Sequence, residues 1–171
     1  MEIIELNVDH ERALDSFRRE FEQAGEEHIP GFLPMSEWTF EQTANGLAAW
    51  ARGDQLPEGW VACTTLFLVD GGRILGVANL RHRLAGTLRA FGGHVGYSIR
   101  PSERGKGYAT RLLEHIIDLA RGMGIERLLI TCDPENAASA RVVEKCGGTF
   151  EDEIFFEPLG RAIRRFWIDL V

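Results

Sequence analysis

The sequence predicts an α+β fold, with one mixed, mostly antiparallel central sheet flanked by helices. Three observations carry this. Extended, β-branched runs at 61–69 and 73–80 flank the turn signal Asp70-Gly71-Gly72 and make an antiparallel hairpin. The apolar period then alternates between two and about three and a half. This gives a strand at 94–99, a helix at 107–123, a strand at 128–132 and a helix at 136–145. The runs 149–156 and 163–171, around Pro158-Leu159-Gly160, close the chain as a second hairpin. An α–β–α block between two hairpins mixes parallel and antiparallel pairing in one sheet.

The remaining elements follow in order. Residues 1–6 form a short first strand. Asp9 is placed to cap a helix whose Ala13, Leu14, Phe17, Phe21 and Ala24 share one face and which stops at Gly25. Glu26-Glu27-His28 is a polar connector, and 29–34 is an apolar loop that either packs on the core or covers a substrate. Thr39 and Gln42 have capping-box spacing and open a helix over 40–52. Less regular chain fills 81–91, with a break at Gly86. Trp38, Trp50, Trp60 and Trp167 are core candidates, and Trp38 and Trp50 are also read as an aromatic wall for a substrate.

The chain has 171 residues, 44% of them hydrophobic, which suits one domain over 1–171 with a sizeable core. Nineteen basic residues against 26 acidic ones leave a net charge of −7, which argues against nucleic acid or a membrane surface as partner. Cys63, Cys132 and Cys146 include no CxxC pair, so neither a disulfide framework nor a metal site is expected. No secretory signal opens the sequence and no apolar run reaches membrane-spanning length, so a soluble, cytoplasmic protein is expected.

Against the acidic balance, 100–111 is a basic island: Arg100, Arg104, Lys106 and Arg111 with Glu103 the single acid. It joins the strand at 94–99 to the long helix. Pro101 ends the strand. Gly105 and Gly107 let the backbone curl around a ligand, and the first helical N–H groups lack intrahelical acceptors. Together with the helix dipole these make an anion cradle of the kind that takes a polyphosphate. A tight turn with a solvated basic face accounts for the same residues. A Walker A loop is excluded, because Lys106 is followed by Gly107 and Tyr108 rather than Ser or Thr. A Rossmann loop is excluded because the third glycine is missing.

Arg104-Gly105-Lys106-Gly107-Tyr108-Ala109 matches the Arg/Gln-x-x-Gly-x-Gly/Ala signature of the GNAT-type N-acetyltransferase superfamily. A second block, Asn136, Ser139 and Glu144-Lys145-Cys146-Gly147-Gly148, is similar to that family's Asn-x-x-Ser/Ala … Glu-Lys-x-Gly-Phe segment. The resemblance covers about 93–150. The run Gly93-His94-Val95-Gly96-Tyr97-Ser98-Ile99-Arg100-Pro101-Ser102-Glu103-Arg104 most resembles a group of predicted acetyltransferases with no assigned substrate.

The resemblance implies acetyl-CoA as cosubstrate and a GNAT-like sheet splayed at its central strands, with Gly96 and Ser98 giving room for a bulge there. It implies that the backbone of Ile99 and Arg100 meets the pantetheine arm. It further implies that Arg104, Gly105, Lys106, Gly107, Tyr108 and Ala109 hold the pyrophosphate, and that Asn136 and Ser139 lie beside the cofactor. Read without it, Asn136 is a helix cap and Ser139 a surface serine. The implied reaction is direct attack by the primary amine of a small molecule or peptide, with the Ile99 N–H as oxyanion donor. Homodimers are common in the family.

A base must take the amine's proton. His94 and His82 are the candidates by position, and each also reads as a hydrogen-bonded structural histidine. Glu26 and Glu27 are candidates for selecting a cationic amine, or form a solvated helix end. Many relatives carry a tyrosine acid immediately before the Glu-Lys pair, and here that position is Val143. The departure keeps open a second function, a non-catalytic acyl-CoA-binding or sensory module on the same fold.

Overall fold

The computed structural model describes residues 1–26, 28–32 and 38–171. Among them, seven strands form one sheet. They are β1 (Glu2–Ile4), β2 (Cys63–Asp70), β3 (Arg73–Arg81), β4 (Val95–Ile99), β5 (Arg127–Cys132), β6 (Thr149–Phe156) and β7 (Arg161–Asp169). The helices are α1 (Glu11–Gln23), α2 (Phe40–Arg52), α3 (Tyr108–Gly122) and α4 (Ala137–Lys145). The strand order is β1-β2-β3-β4-β5-β7-β6, antiparallel throughout except where β4 meets β5.

Each face of the sheet has its own apolar layer. Leu14, Phe17 and Phe21 of α1 and Leu47 and Trp50 of α2 pack on Cys63, Phe67, Val69, Ile74 and Val77. On the opposite face, Leu112, Leu113, Ile116 and Ala120 of α3 and Ala140 and Val143 of α4 pack on Leu66, Leu68, Val95, Ile130 and Phe166. The strand alternation sorts these side chains, since neighbours along a strand point to opposite faces. All four tryptophans are accounted for as packing residues. Trp38, Trp50 and Trp60 lie ring against ring at 5.3 and 5.1 Å beside α2, and Trp167 lies under the Arg127 guanidinium at 4.2 Å.

The capping box opens α2 as expected. Thr39 Oγ1 accepts from the Gln42 N–H at 3.2 Å, and Gln42 Oε1 accepts from the Thr39 N–H at 2.8 Å. The first helix differs from expectation. Asn7, not Asp9, supplies the side-chain cap, its Oδ1 accepting the Asp9 N–H at 3.0 Å. It caps a 3₁₀ turn, Val8–His10, and α1 starts only at Glu11.

The expected parting of the central strands is present. β4 and β5 are bridged at one pair, Val95↔Ile130. The expected bulge at Gly96 and Ser98 is not, because β4 keeps unbroken register with β3 from Leu80↔Val95 to Gly76↔Ile99. The irregularity lies one strand over, between Leu68 and Val69, where Leu75 of β3 has no partner. Gly96 serves a different purpose. The segment after α1 crosses β4 there, so close that a Cβ on Gly31 would sit 2.4 Å from the Gly96 carbonyl oxygen. Ser98 Oγ donates to Pro30 O at 2.8 Å and pins the crossing.

Candidate active site

β4 determines which backbone groups face the gap. Arg100 N–H donates to Leu75 O at 2.9 Å, and Arg81 N–H donates to His94 O at 2.8 Å. In an antiparallel pair these bonds recur at every second residue. The polar groups of Gly96, Ser98 and Arg100 are therefore turned to β3, and those of Tyr97 and Ile99 toward β5. Beyond Val95 no β5 partner meets them. Two consecutive outward residues thus present N–H and C=O groups to an open slot in mid-sheet.

The slot runs on to the basic loop. Gly105 and Gly107 have φ of +78° and +84°, a region costly for residues with a Cβ, and space is open beside both. Gly107 occupies the N-cap of α3 with no side chain capping it, so the first-turn N–H groups are left for a ligand. Tyr108 and Ala109 provide the first two of these, and their side chains lean on the α3 core.

The loop's charges are partly compensated by the protein itself. Lys106 Nζ lies 2.7 Å from Glu103 Oε2, and Arg73 pairs with the other carboxylate oxygen. The Lys106 and Arg73 hydrogen bonds hold the Glu103 carboxyl below its ordinary range. Arg104 grips Glu26 at 2.7 and 2.8 Å. Arg100 turns away entirely. It is 1% exposed, and it donates from Nε to Ile74 O at 2.6 Å and from Nη1 to Glu20 at 2.8 Å. Since its N–H is bonded to β3 and its C=O to the Glu103 N–H, Arg100 has neither backbone nor side chain to offer the slot.

Neither histidine is arranged as a base. The His94 ring accepts the Leu129 N–H at Nδ1 (2.9 Å), and the His94 backbone N–H donates to Leu129 O at 2.7 Å. It is a clasp between β4 and β5. Burial, then Arg81 and Arg89, push its pKa down to about 4. His82 meets Thr64 Oγ1 at 2.8 Å, and burial lowers its pKa. Gly76 is the β3 residue opposite Ile99. His82 lies one residue past β3 and six residues beyond Gly76, roughly 20 Å away. Both rings are engaged in the hydrogen bonds that the structural reading of these histidines requires.

Asn136 caps α4, its Oδ1 accepting the Ser139 N–H at 2.9 Å. Ser139 Oγ lies 2.9 Å from the Tyr97 hydroxyl, which reaches over from β4 on the α3–α4 face. This contact joins residues 42 apart in sequence, and no local pattern announces it. Burial raises the Tyr97 pKa to about 12. Val143, on α4, is fully buried in the core. Glu27 and residues 33–34 of the apolar loop, named as candidates, lie outside the described residues. The Cys146 thiol is half-buried and pushed up by burial, a neutral group.

Residues 9–149 match the family model described as "Acetyltransferase (GNAT) domain". The chain belongs to the GNAT family of acetyltransferases. An uncharacterized N-acetyltransferase of Bacillus subtilis, YnaD, is 36% identical over 61 residues, which cover 33% of this chain and 36% of that protein. Two solved structures share the fold across almost the whole chain. RimJ of Mycobacterium smegmatis, in complex with CoA-disulfide, has a TM-score of 0.69 at 19% identity, covering 98% of this chain and 80% of that one. yncA of Salmonella typhimurium, with its cofactor acetyl-CoA, has a TM-score of 0.61 at 21% identity, covering 99% and 94%. No described helix is long and apolar enough to cross a membrane, and the described residues contain no cluster able to hold a metal ion.

Within this GNAT domain, sequence reasoning missed two features: the Tyr97–Ser139 contact and the Arg104–Glu26 pair. The packing of Pro30-Gly31 on β4 is one of the two readings the sequence offered for that loop.

Proposed function

We propose that the protein moves the acetyl group of acetyl-CoA to the primary amine of a small molecule or peptide. The observation that carries this is the mid-sheet slot: backbone groups of Tyr97 and Ile99 that β5 leaves unpaired lead directly into a glycine loop and an uncapped helix start. Those parts fit the two ends of CoA. An extended amide arm pairs with a strand edge, and a pyrophosphate suits backbone N–H groups at a helix N-terminus. Gly105 to Ala109, aided by Arg104 and Lys106, would hold the pyrophosphate. Ile99 and the Asn136 side-chain amide would meet the arm, with Ser139 beside it. A solved relative in fold is bound to acetyl-CoA, which supports the same reading.

Acetyl-CoA supplies the acetyl thioester, whose C–S bond breaks as the amine nitrogen forms the new C–N bond. The Ile99 N–H, fixed by the strand and without a partner among the described residues, would hold the acetyl oxygen without reorganising. With Val143 unable to donate a proton, the Tyr97 and Ser139 hydroxyls are the nearest donors to the slot on the α3–α4 face. The Tyr97 phenol keeps its proton at neutral pH, so it would hydrogen-bond the departing thiolate, although burial raises its pKa to about 12 and makes it a weaker acid than a free tyrosine. Tyr97→Phe is therefore expected to lower kcat by about 100-fold while leaving the KM for acetyl-CoA within about twofold. An unchanged kcat assigns Tyr97 to packing.

The deciding experiment is thiol release from acetyl-CoA across primary amines, amino acids, aminoglycosides and peptides. Amine-dependent release supports the proposal. Tight CoA binding with no turnover on any acceptor replaces it with the non-catalytic module.

A further inference from the structure

Arg104 joins three parts of the site through one guanidinium. Its Nε–H donates to Ile99 O at 3.2 Å, the carbonyl that faces the slot. Its two terminal nitrogens hold the Glu26 carboxylate at 2.7 and 2.8 Å. Its Cζ lies 5.6 Å from the centre of the Phe21 ring on α1. From Arg104 the chain passes straight into the glycine loop. Glu26 stands just past the end of α1, where the chain turns toward the Pro30-Gly31 crossing of β4. The guanidinium therefore touches the slot and the α1 face of the sheet together, and borders the anion cradle.

A filled slot competes with this arrangement. An amide arm lying along β4 would share or take the Ile99 carbonyl to which Arg104 now donates. A diphosphate on residues 105–109 is a stronger anion for the same guanidinium. Both draw Arg104 off Glu26. The Glu26 side chain is 35% exposed, and Arg104 is its one cationic partner among the described residues. Once released, Glu26 is an unpaired carboxylate one guanidinium's width from the Ile99 carbonyl.

We propose that Glu26 is the acceptor-selecting residue. It takes the ammonium group of a cationic amine into the position that Arg104 vacates, and Arg104 withholds it until the cofactor is bound. The proposal rests on the acetyl-CoA reading above and adds the acceptor's charge class and the order of binding. Neutral and anionic acceptors gain nothing at this position.

The test is NMR on the full chain with labelled arginine side chains and glutamate carboxyl carbons, using CoA and n-butylammonium as probes. CoA should displace the Arg104 Nε–H resonance and shift the Glu26 carboxyl carbon. Butylammonium should then shift that carbon saturably in the CoA-loaded protein but not in the free one. Tetramethylammonium at equal concentration, a cation without N–H donors, should not. Glu26→Gln should bind CoA roughly two- to fivefold more tightly, because an exposed ion pair no longer competes for Arg104. Three results each overturn the proposal: CoA binding that leaves the Arg104 Nε–H in place, a butylammonium response independent of CoA, or no response at Glu26. Failure of both wild type and Glu26→Gln to bind CoA overturns the acetyl-CoA reading instead, and this proposal with it.

Discussion

Arg100 and His94 were both prominent in the sequence, and the structure puts both to work inside the fold. Arg100 is buried between Ile74, Glu20 and the Phe17 ring. Removing one partner of a buried pair costs about 3–5 kcal/mol. Glu20 would keep its Ser102 N–H bond and a nearby Arg73, so Arg100→Ala is expected at the low end, about 3 kcal/mol by urea denaturation. His94 gives a pH signature. Its folded pKa of about 4 lies below the ordinary 6.5, so the neutral ring is favoured by folding. That contribution is complete above about 6.5 and is lost as pH falls toward 4, an effect on the order of 3 kcal/mol. Glu20 acts lower. Burial opposes its ionisation, but the Ser102 bonds and Arg100 outweigh this and bring its pKa from 4.5 to about 2. Its contribution is present above 4.5 and lost as pH drops through 2. His94→Asn should flatten the upper window of a stability-versus-pH curve and leave the lower one. Retained turnover in the same variant would agree with the clasp role. A structural role for His94 was one of the sequence's two readings, but the partners were not legible, because Glu20 and Leu129 are 80 and 35 residues away.

At the scale of elements, the start of α3 was read correctly from the sequence alone, because every ingredient is local. Glycine spacing, a preceding proline and a following amphipathic run lie within a dozen residues. The structure adds that both glycines have positive φ and open space around them. Gly107→Trp should therefore fold with a loss of about 1–2 kcal/mol, the cost of a Cβ in the left-handed region. Its indole would lie over the helix start and abolish CoA binding in calorimetry. Retention of CoA affinity by a folded Gly107→Trp protein would remove the cradle from the site. The Thr39–Gln42 cap was equally local and equally legible. Asp9 was misjudged because Asn7, two residues earlier, competes for the same turn with a side-chain oxygen better placed to accept.

For the molecule as a whole, periodicity along the chain placed nearly every helix and strand, since burial on one face imposes a pattern on each. What no periodicity encodes is a pairing that stops. The residues after Val95 on β4 look like any buried strand, and only the resemblance to a family suggested that β5 leaves them. The sheet is in effect two panels, β1 to β4 and β5 to β6, held by Val95↔Ile130 and the His94–Leu129 clasp. A strand at the centre of a seven-stranded sheet thus has one edge of an outermost strand. Amide hydrogen exchange should show it as an alternation. Tyr97 and Ile99 should exchange rapidly in the free protein while Ser98 and Arg100, bonded to β3, exchange slowly. A bound pantetheine arm should erase the difference, because it would act as the missing strand.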